Sequence, residues 1–154
     1  MKEKLQEYAL IAEIVSTLAI ISSLIFVGLQ IRQNSDTVKA QTRNAIAEIA
    51  RDNVKATMDP RLIEAFLKMS NGVKLTPEEA FLIRLHNNLI FRTAENVYYQ
   101  YNIGTFSEDE FDGYRNYFHE YFSNKITLEN WEETKSGYSP RFREEMDALI
   151  SDIK

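Results

Sequence analysis

The chain is 154 residues long, carries a formal charge of -5, contains no cysteine, and is 44% hydrophobic and 27% charged. That length holds one domain plus an anchor rather than two sizeable cores, and the composition is that of a folded protein. The acidic balance disfavours non-specific nucleic-acid binding, which needs Lys and Arg to neutralise phosphates, and the missing cysteines exclude disulfides, thiolate zinc sites and thiol nucleophiles.

The first element is an uncharged run, IVSTLAIISSLIFVGL, from Ile14 to Leu29. Extended to Ile31 it covers about 27 Å as a helix, against roughly 30 Å of bilayer hydrocarbon. Eleven of these eighteen residues are Leu, Ile, Val or Phe, so insertion is favoured by roughly 3 to 7 kcal/mol on the biological scale. Ser16, Thr17, Ser22, Ser23 and Gln30 reduce that gain without reversing it. The expectation is a membrane-anchor helix over 1–33, with Tyr8 and Arg32 at the interfaces, ahead of a helical domain over 34–154. Two other readings fit the same run: the core helix of a soluble bundle, or a signal segment, although no small-x-small cleavage site follows it.

Ala9, Ala12, Ser16, Ala19 and Ser23 alternate spacings of three and four, which puts them on one stripe of that helix. Small residues let helix backbones approach within lipid, so Ala12, Ser16, Ala19 and Ser23 form a candidate helix–helix seam for a homo-oligomer. Lys2 and Lys4 precede the run and Arg32, Lys39 and Arg43 follow it. This bias favours a cytoplasmic C-terminal domain.

From Asn34 to Met58 the helical pattern persists, with Ile46, Ile49, Ala50 and Val54 on one face. Ser35 or Asp36 could cap a new helix here, or the anchor helix could run through. Downstream the punctuation is clear. Asp59-Pro60, Thr76-Pro77 and Ser139-Pro140 each read as an N-cap followed by proline at the first helical position. Thr76 with Glu79, and Ser107 with Glu110, fit the capping box. Gly72, Gly104 and Gly137 stand where left-handed stops are needed. The predicted helices are Pro60 to Asn71, Pro77 to Ile103, Glu108 to Ser123, Leu128 to Ser136 and Pro140 to Ile153. No stretch alternates as a strand does, so the fold class is all-α: a long N-terminal hydrophobic helix, then a bundle of about five helices.

The longest predicted helix, Pro77 to Ile103, is apolar on most sides and therefore central. Along it Arg84, Asn88, Arg92 and Glu95 make a polar line. Fourteen of the eighteen aromatic residues fall between Phe91 and Phe142. Phe111, Tyr114, Phe118, Tyr121 and Phe122 share one helical face that Trp131, Tyr138 and Phe142 can close over, an aromatic core with hydroxyls at its margin.

The segments LAIISSLIFVGLQIRQN (Leu18 to Asn34) and ENVYYQYNIG (Glu95 to Gly104) are similar to those of small bacterial proteins of unknown function that join an N-terminal hydrophobic helix to a helical domain. The resemblance runs loosely over the whole chain. It implies a bacterial source and an inner-membrane anchor, and brings no catalytic residues with it.

Chemistry-bearing motifs are sparse. His86 and His119 belong to no metal-ligand pair, and no metal or cofactor site is expected. His86, on an apolar helix, reads as an interior or boundary residue with its hydrogen bonds satisfied. Glu108, Glu110, Asp112 and Gly113 match the opening positions of a calcium loop, but His119 stands where the bidentate glutamate belongs, and acids collect at helix N-termini anyway. No catalytic signature appears, and an enzyme is not the leading expectation. Arg92, Glu95, Asn96, Tyr98 and Tyr99 form the best candidate cluster, either a binding site or a polar network that fixes helix register. The leading function is a single-pass membrane protein, in contact with lipid, whose helical domain mediates oligomerisation or protein-partner binding. The alternative is a small-molecule-binding or enzymatic domain using the Arg92–Glu95 cluster.

Overall fold

The computed structural model describes residues 2–152. It contains α1 (Lys2–Thr57), α2 (Pro60–Ser70), α3 (Pro77–Asn102), α4 (Glu108–Tyr121), α5 (Lys125–Thr134), a 3₁₀ turn at Lys135–Gly137 and α6 (Pro140–Ser151). No strand occurs among the described residues, and the fold is all-α. Compactness divides the chain between Thr42 and Arg43, nine residues beyond the boundary read from hydropathy, because Arg43 and Ile46 already belong to the downstream unit. Neither Ser35 nor Asp36 starts a new helix. Helix geometry continues there, and the Thr37 hydroxyl donates to the Gln33 carbonyl (2.9 Å).

The first unit is a stretch of helix alone. Every residue from Ile14 to Leu29 is exposed, and the helix is the one candidate among the described residues that is long and apolar enough to cross a membrane, with mean hydropathy 2.3 in its best window and none of that window buried. The hydroxyls of Ser16 and Thr17 both donate to the Glu13 carbonyl (2.9 and 2.8 Å), so neither needs water.

In the second unit the local punctuation works as the sequence implies. The Asp59 carboxylate accepts from the Arg61 amide, and both capping boxes, Thr76 with Glu79 and Ser107 with Glu110, are closed in both directions. Gly72 and Gly104 have φ of 66° and 76°. Each closes its helix with the paired bonds of a Schellman stop: Val73 N–H to Lys68 O and Gly72 N–H to Met69 O, then Thr105 N–H to Gln100 O and Gly104 N–H to Tyr101 O.

Three local expectations differ. Gly137 has no positive φ, since a 3₁₀ turn rather than a left-handed residue ends that segment. α5 begins at Lys125, three residues early, because the Asn124 side chain accepts from the Ile126 amide and caps it. Ser139 occupies the N-cap of α6 but makes no side-chain cap bond. The predicted end of α6 at Ile153 lies outside the described residues.

The core is aromatic and centred on Phe91, which is fully buried. Phe91 stacks on Phe122 (centroids 5.3 Å) and meets Trp131 edge-on (5.4 Å), while Phe142 and Tyr138 close the far side. The Trp131 indole N–H, also buried, donates to the Asp147 carboxylate (2.9 Å). Burying rings of this size supplies the largest single apolar contribution to the unit. A second cluster joins Ile46 of α1 to Val97, Phe106 and Phe111. A third joins Leu62 and Ala65 of α2 to Ile83.

The two glycine classes separate experimentally. Gly72→Ala should cost about 1–2 kcal/mol from the left-handed φ, whereas Gly137→Ala should cost little, since a Cβ there meets only the Arg92 side chain at 3.7 Å. Urea unfolding of the two variants measures the difference.

Candidate functional site

The α3 sequence divides its surface by helical periodicity. Residues 83, 87, 91 and 94 are buried in the core. The polar line Arg84, Asn88, Arg92 and Glu95 faces α5 and the turn beyond it. Arg84 pairs with Glu133, the Asn88 side-chain oxygen accepts from Asn130 (3.0 Å), and Arg92 pairs with Glu95 (2.8 Å) while donating to the Gly137 carbonyl (3.1 Å). The Arg92 guanidinium also lies 4.1 Å from the centre of the Tyr138 ring. The other Glu95 oxygen accepts from the Ser139 amide (2.8 Å), so α3 satisfies the backbone N–H at the N-cap of α6. Within the sequence-derived cluster, then, Arg92 and Glu95 tie α3 to the start of α6. Tyr98 packs between the first two core clusters, Asn96 is partly exposed, and Tyr99 is exposed. These five side chains do not converge on a common cavity.

The remaining face of α3 carries the site that spacing did not reveal. His86, Ile90 and Thr93 form the floor of a cleft of about 650 Å³, with α1 residues Asn53 and Val54 on one wall, α4 residues Tyr114, Tyr117 and Tyr121 on the other, and Phe66 of α2 at one end. The α1 wall is fastened to the floor: Asn53 Nδ2 donates to Thr93 Oγ1 (2.9 Å), Thr93 Oγ1 donates to Leu89 O (3.0 Å), and Thr57 Oγ1 donates to Asn53 O (2.8 Å). Its one acidic lining residue, Glu110, is also committed. One carboxylate oxygen accepts from Ser107 N (2.8 Å), Ser107 Oγ (3.0 Å) and Arg43 (2.7 Å). The Ser107 bonds, with help from Arg43, hold this carboxyl below the usual range.

His86 is the exception to this saturation. It is 8% exposed, makes an edge contact with Phe66 (5.4 Å) and lies 6.4 Å from the Tyr121 ring. Its Nδ1 is buried without a partner among the described residues. The interior position matches the sequence reading, but the satisfied hydrogen bonds do not. Burial holds the imidazole below its ordinary pKa, which favours the neutral ring. Beside it the Tyr121 hydroxyl donates to the Asn87 side-chain oxygen (2.6 Å), and burial raises the phenol well above its usual range. The Asn87 amide nitrogen is buried and unpartnered as well.

One sequence signal did mark this cleft. Gly113 lies in the interior of α4, where glycine costs about 1 kcal/mol relative to alanine. A Cβ built there meets nothing within 4 Å, and the residue lines the cleft. No packing constraint of the fold requires a glycine here; it leaves the wall open.

The residues resembling a calcium loop are used within the fold. Glu108 receives the Tyr101 hydroxyl and Asp112 pairs with Arg115 (2.6 Å). Among the described residues no group of three or more acidic or histidine side chains is placed to hold a metal ion. The seam residues Ala12, Ser16, Ala19 and Ser23 are all exposed on the first unit. Comparisons with protein-family models, curated proteins and solved structures returned no match.

Three substitutions test these assignments. Glu95→Ala should lower the stability of the helical unit by about 1–2 kcal/mol through loss of the acceptor for the Ser139 amide and of the Arg92 partner, while Tyr99→Ala stays within about 0.5 kcal/mol, both read by urea unfolding. For His86 the folded pKa lies below the unfolded value, so the unfolded chain binds the proton first. The stability associated with neutral His86 is complete above about pH 6.5 and declines as pH falls below it. His86→Phe should remove that part of the acid sensitivity, seen as a smaller drop in Tm between pH 7 and 5 than in the parent chain.

Proposed function

We propose that the chain is a single-pass membrane protein whose helical unit serves as a binding module at the membrane surface, with the anchors of two or more copies associating through their small-residue seam. The observation that carries the reading is the complete exposure of the Ile14–Leu29 surface. A contiguous apolar surface of that extent is not left against water; it is covered by lipid or by other chains. Its length matches a bilayer, and the Ser16 and Thr17 hydroxyls are satisfied inside the helix.

The seam residues lie at spacings that allow close backbone approach between copies. The basic residues Arg32, Lys39 and Arg43 after the run, against Lys2 and Lys4 before it, favour a cytoplasmic helical unit. The resemblance noted in the sequence favours a bacterial inner membrane. Within the helical unit, Arg92 and Glu95 are engaged with each other and with the start of α6, so this network is structural. A small-molecule role for the unit rests on the cleft at His86 instead.

Carbonate-washed membranes from cells expressing the full chain should retain it, while a chain lacking Met1 to Gln33 should be soluble and helical. Recovery of the intact chain in the soluble fraction would end the anchored reading. Cysteines at Ser16 and Ser23 should crosslink between copies several-fold more efficiently than cysteines at Leu18 and Ile25, and equal yields at all four positions would remove the seam.

A further inference from the structure

The geometry points to the cleft at His86 as a binding site for a neutral, largely apolar small molecule with one oxygen acceptor, such as a long-chain alcohol or ketone. Its volume of about 650 Å³ falls within the roughly 300–1,000 Å³ of ordinary ligand sites. Phe66, Ile90, Phe118 and the rings of Tyr114, Tyr117 and Tyr121 supply an apolar lining. Three further observations fix the chemistry.

The charge of the ligand follows from Glu110. It is the one charged side chain on the lining, and its partners Ser107 and Arg43 already occupy it. An anion would meet a carboxylate and no lining cation, and a cation would meet a carboxylate whose charge Arg43 already balances. A neutral molecule meets neither obstacle.

The polar group of the ligand follows from His86. The hydroxyls and amide on the α1 side are bonded to one another or to the backbone, so the imidazole is the unsatisfied polar group of the floor. A neutral imidazole has one N–H and one bare nitrogen. Nδ1 is sealed from the cleft and unpartnered, so a ligand can reach only the other ring nitrogen, and the donor that the imidazole can offer it is Nε2–H. The ligand must therefore present an acceptor to Nε2–H.

The shape of the wall follows from Gly113. An interior helical glycine with open space before it lets a ligand lie against the α4 backbone, a recognised use of glycine. Delivery of the ligand from the bilayer rests on the anchored reading above. The site itself does not.

The test uses the full chain in lipid nanodiscs, a long-chain alcohol carrying a mid-chain diazirine, and peptide mapping of the photoproducts. Label is expected on cleft residues of α3 and α4, and separately on the Ile14–Leu29 helix. Gly113→Leu adds a side chain to the cleft wall at a position where a Cβ meets nothing within 4 Å and removes a helix-destabilising residue, so it should fold normally by circular dichroism and lose at least tenfold of the cleft label. His86→Phe keeps the ring and loses the donor. It should abolish an about fivefold preference for the alcohol over the matching alkane diazirine, the ratio that one net hydrogen bond of about 1 kcal/mol provides.

Anchor label without cleft label overturns the site and leaves the membrane reading standing. Cleft label without anchor label does the reverse. Undiminished cleft label in Gly113→Leu, or photoproducts in which the cleft is joined to a second copy of the chain rather than to the probe, also overturns the small-molecule assignment.

Discussion

Phe91 is the residue that the helical unit cannot do without. It sits at zero exposure between Phe122, Trp131 and Tyr138, so three later segments of the chain take their positions from one ring on α3. Aromatic contacts have preferred geometries, and a stacked partner on one side with edge-on partners on the others defines distances as well as neighbours. The polar line of α3 complements that core. Bonds from Asn88 and Arg92 to Asn130 and Gly137 fix how far α5 and the following turn slide along α3. Hydrophobic burial alone would leave that register loose, because it is nearly indifferent to small sliding motions.

Glu95 illustrates how one side chain serves two structural needs. One oxygen neutralises Arg92 and the other receives the Ser139 amide at the head of α6. The Arg92 guanidinium in turn covers the Tyr138 ring, closing the edge of the aromatic core. The cluster that looks most like chemistry in the sequence is therefore bonded to its own fold. The cleft lies on another face of the same helix, where polar residues are few.

What could be read in advance was local. Proline after a capping residue, a capping box or a glycine stop acts within a few residues, so Thr76, Ser107, Gly72 and Gly104 announced the helix ends. The α5 start was missed because Asn124 has no proline or box behind it, and the bond that Ser139 gives to Glu95 could not be read because Glu95 lies 44 residues away in sequence. The all-α class and the centrality of α3 follow from periodicity, which is a property of a single helix. The cleft is a property of four segments together, α1, α2, α3 and α4, and no spacing within any one of them encodes the gap they leave. Gly113 was visible throughout, but as a supposed turn residue of a calcium loop its real context, open space beside a helix interior, was hidden. His86 likewise reads as an ordinary interior residue until the absence of a hydrogen-bond partner at Nδ1 is known.

The α1 helix carries an unusual obligation in time. Its C-terminal part contributes Ile46 to one core cluster and Asn53 to the cleft wall, yet Arg43 and its partner Glu110 are 67 residues apart in the chain. A ribosome adding roughly 5–20 residues per second needs about 3–13 s to span that interval. During it, α1 holds apolar groups destined for α3 and α4 before either exists. The unit thus assembles by bringing a wall made earlier against neighbours made later. Any chaperone or bilayer surface that shelters α1 in those seconds acts on the same residues that later enclose the cleft.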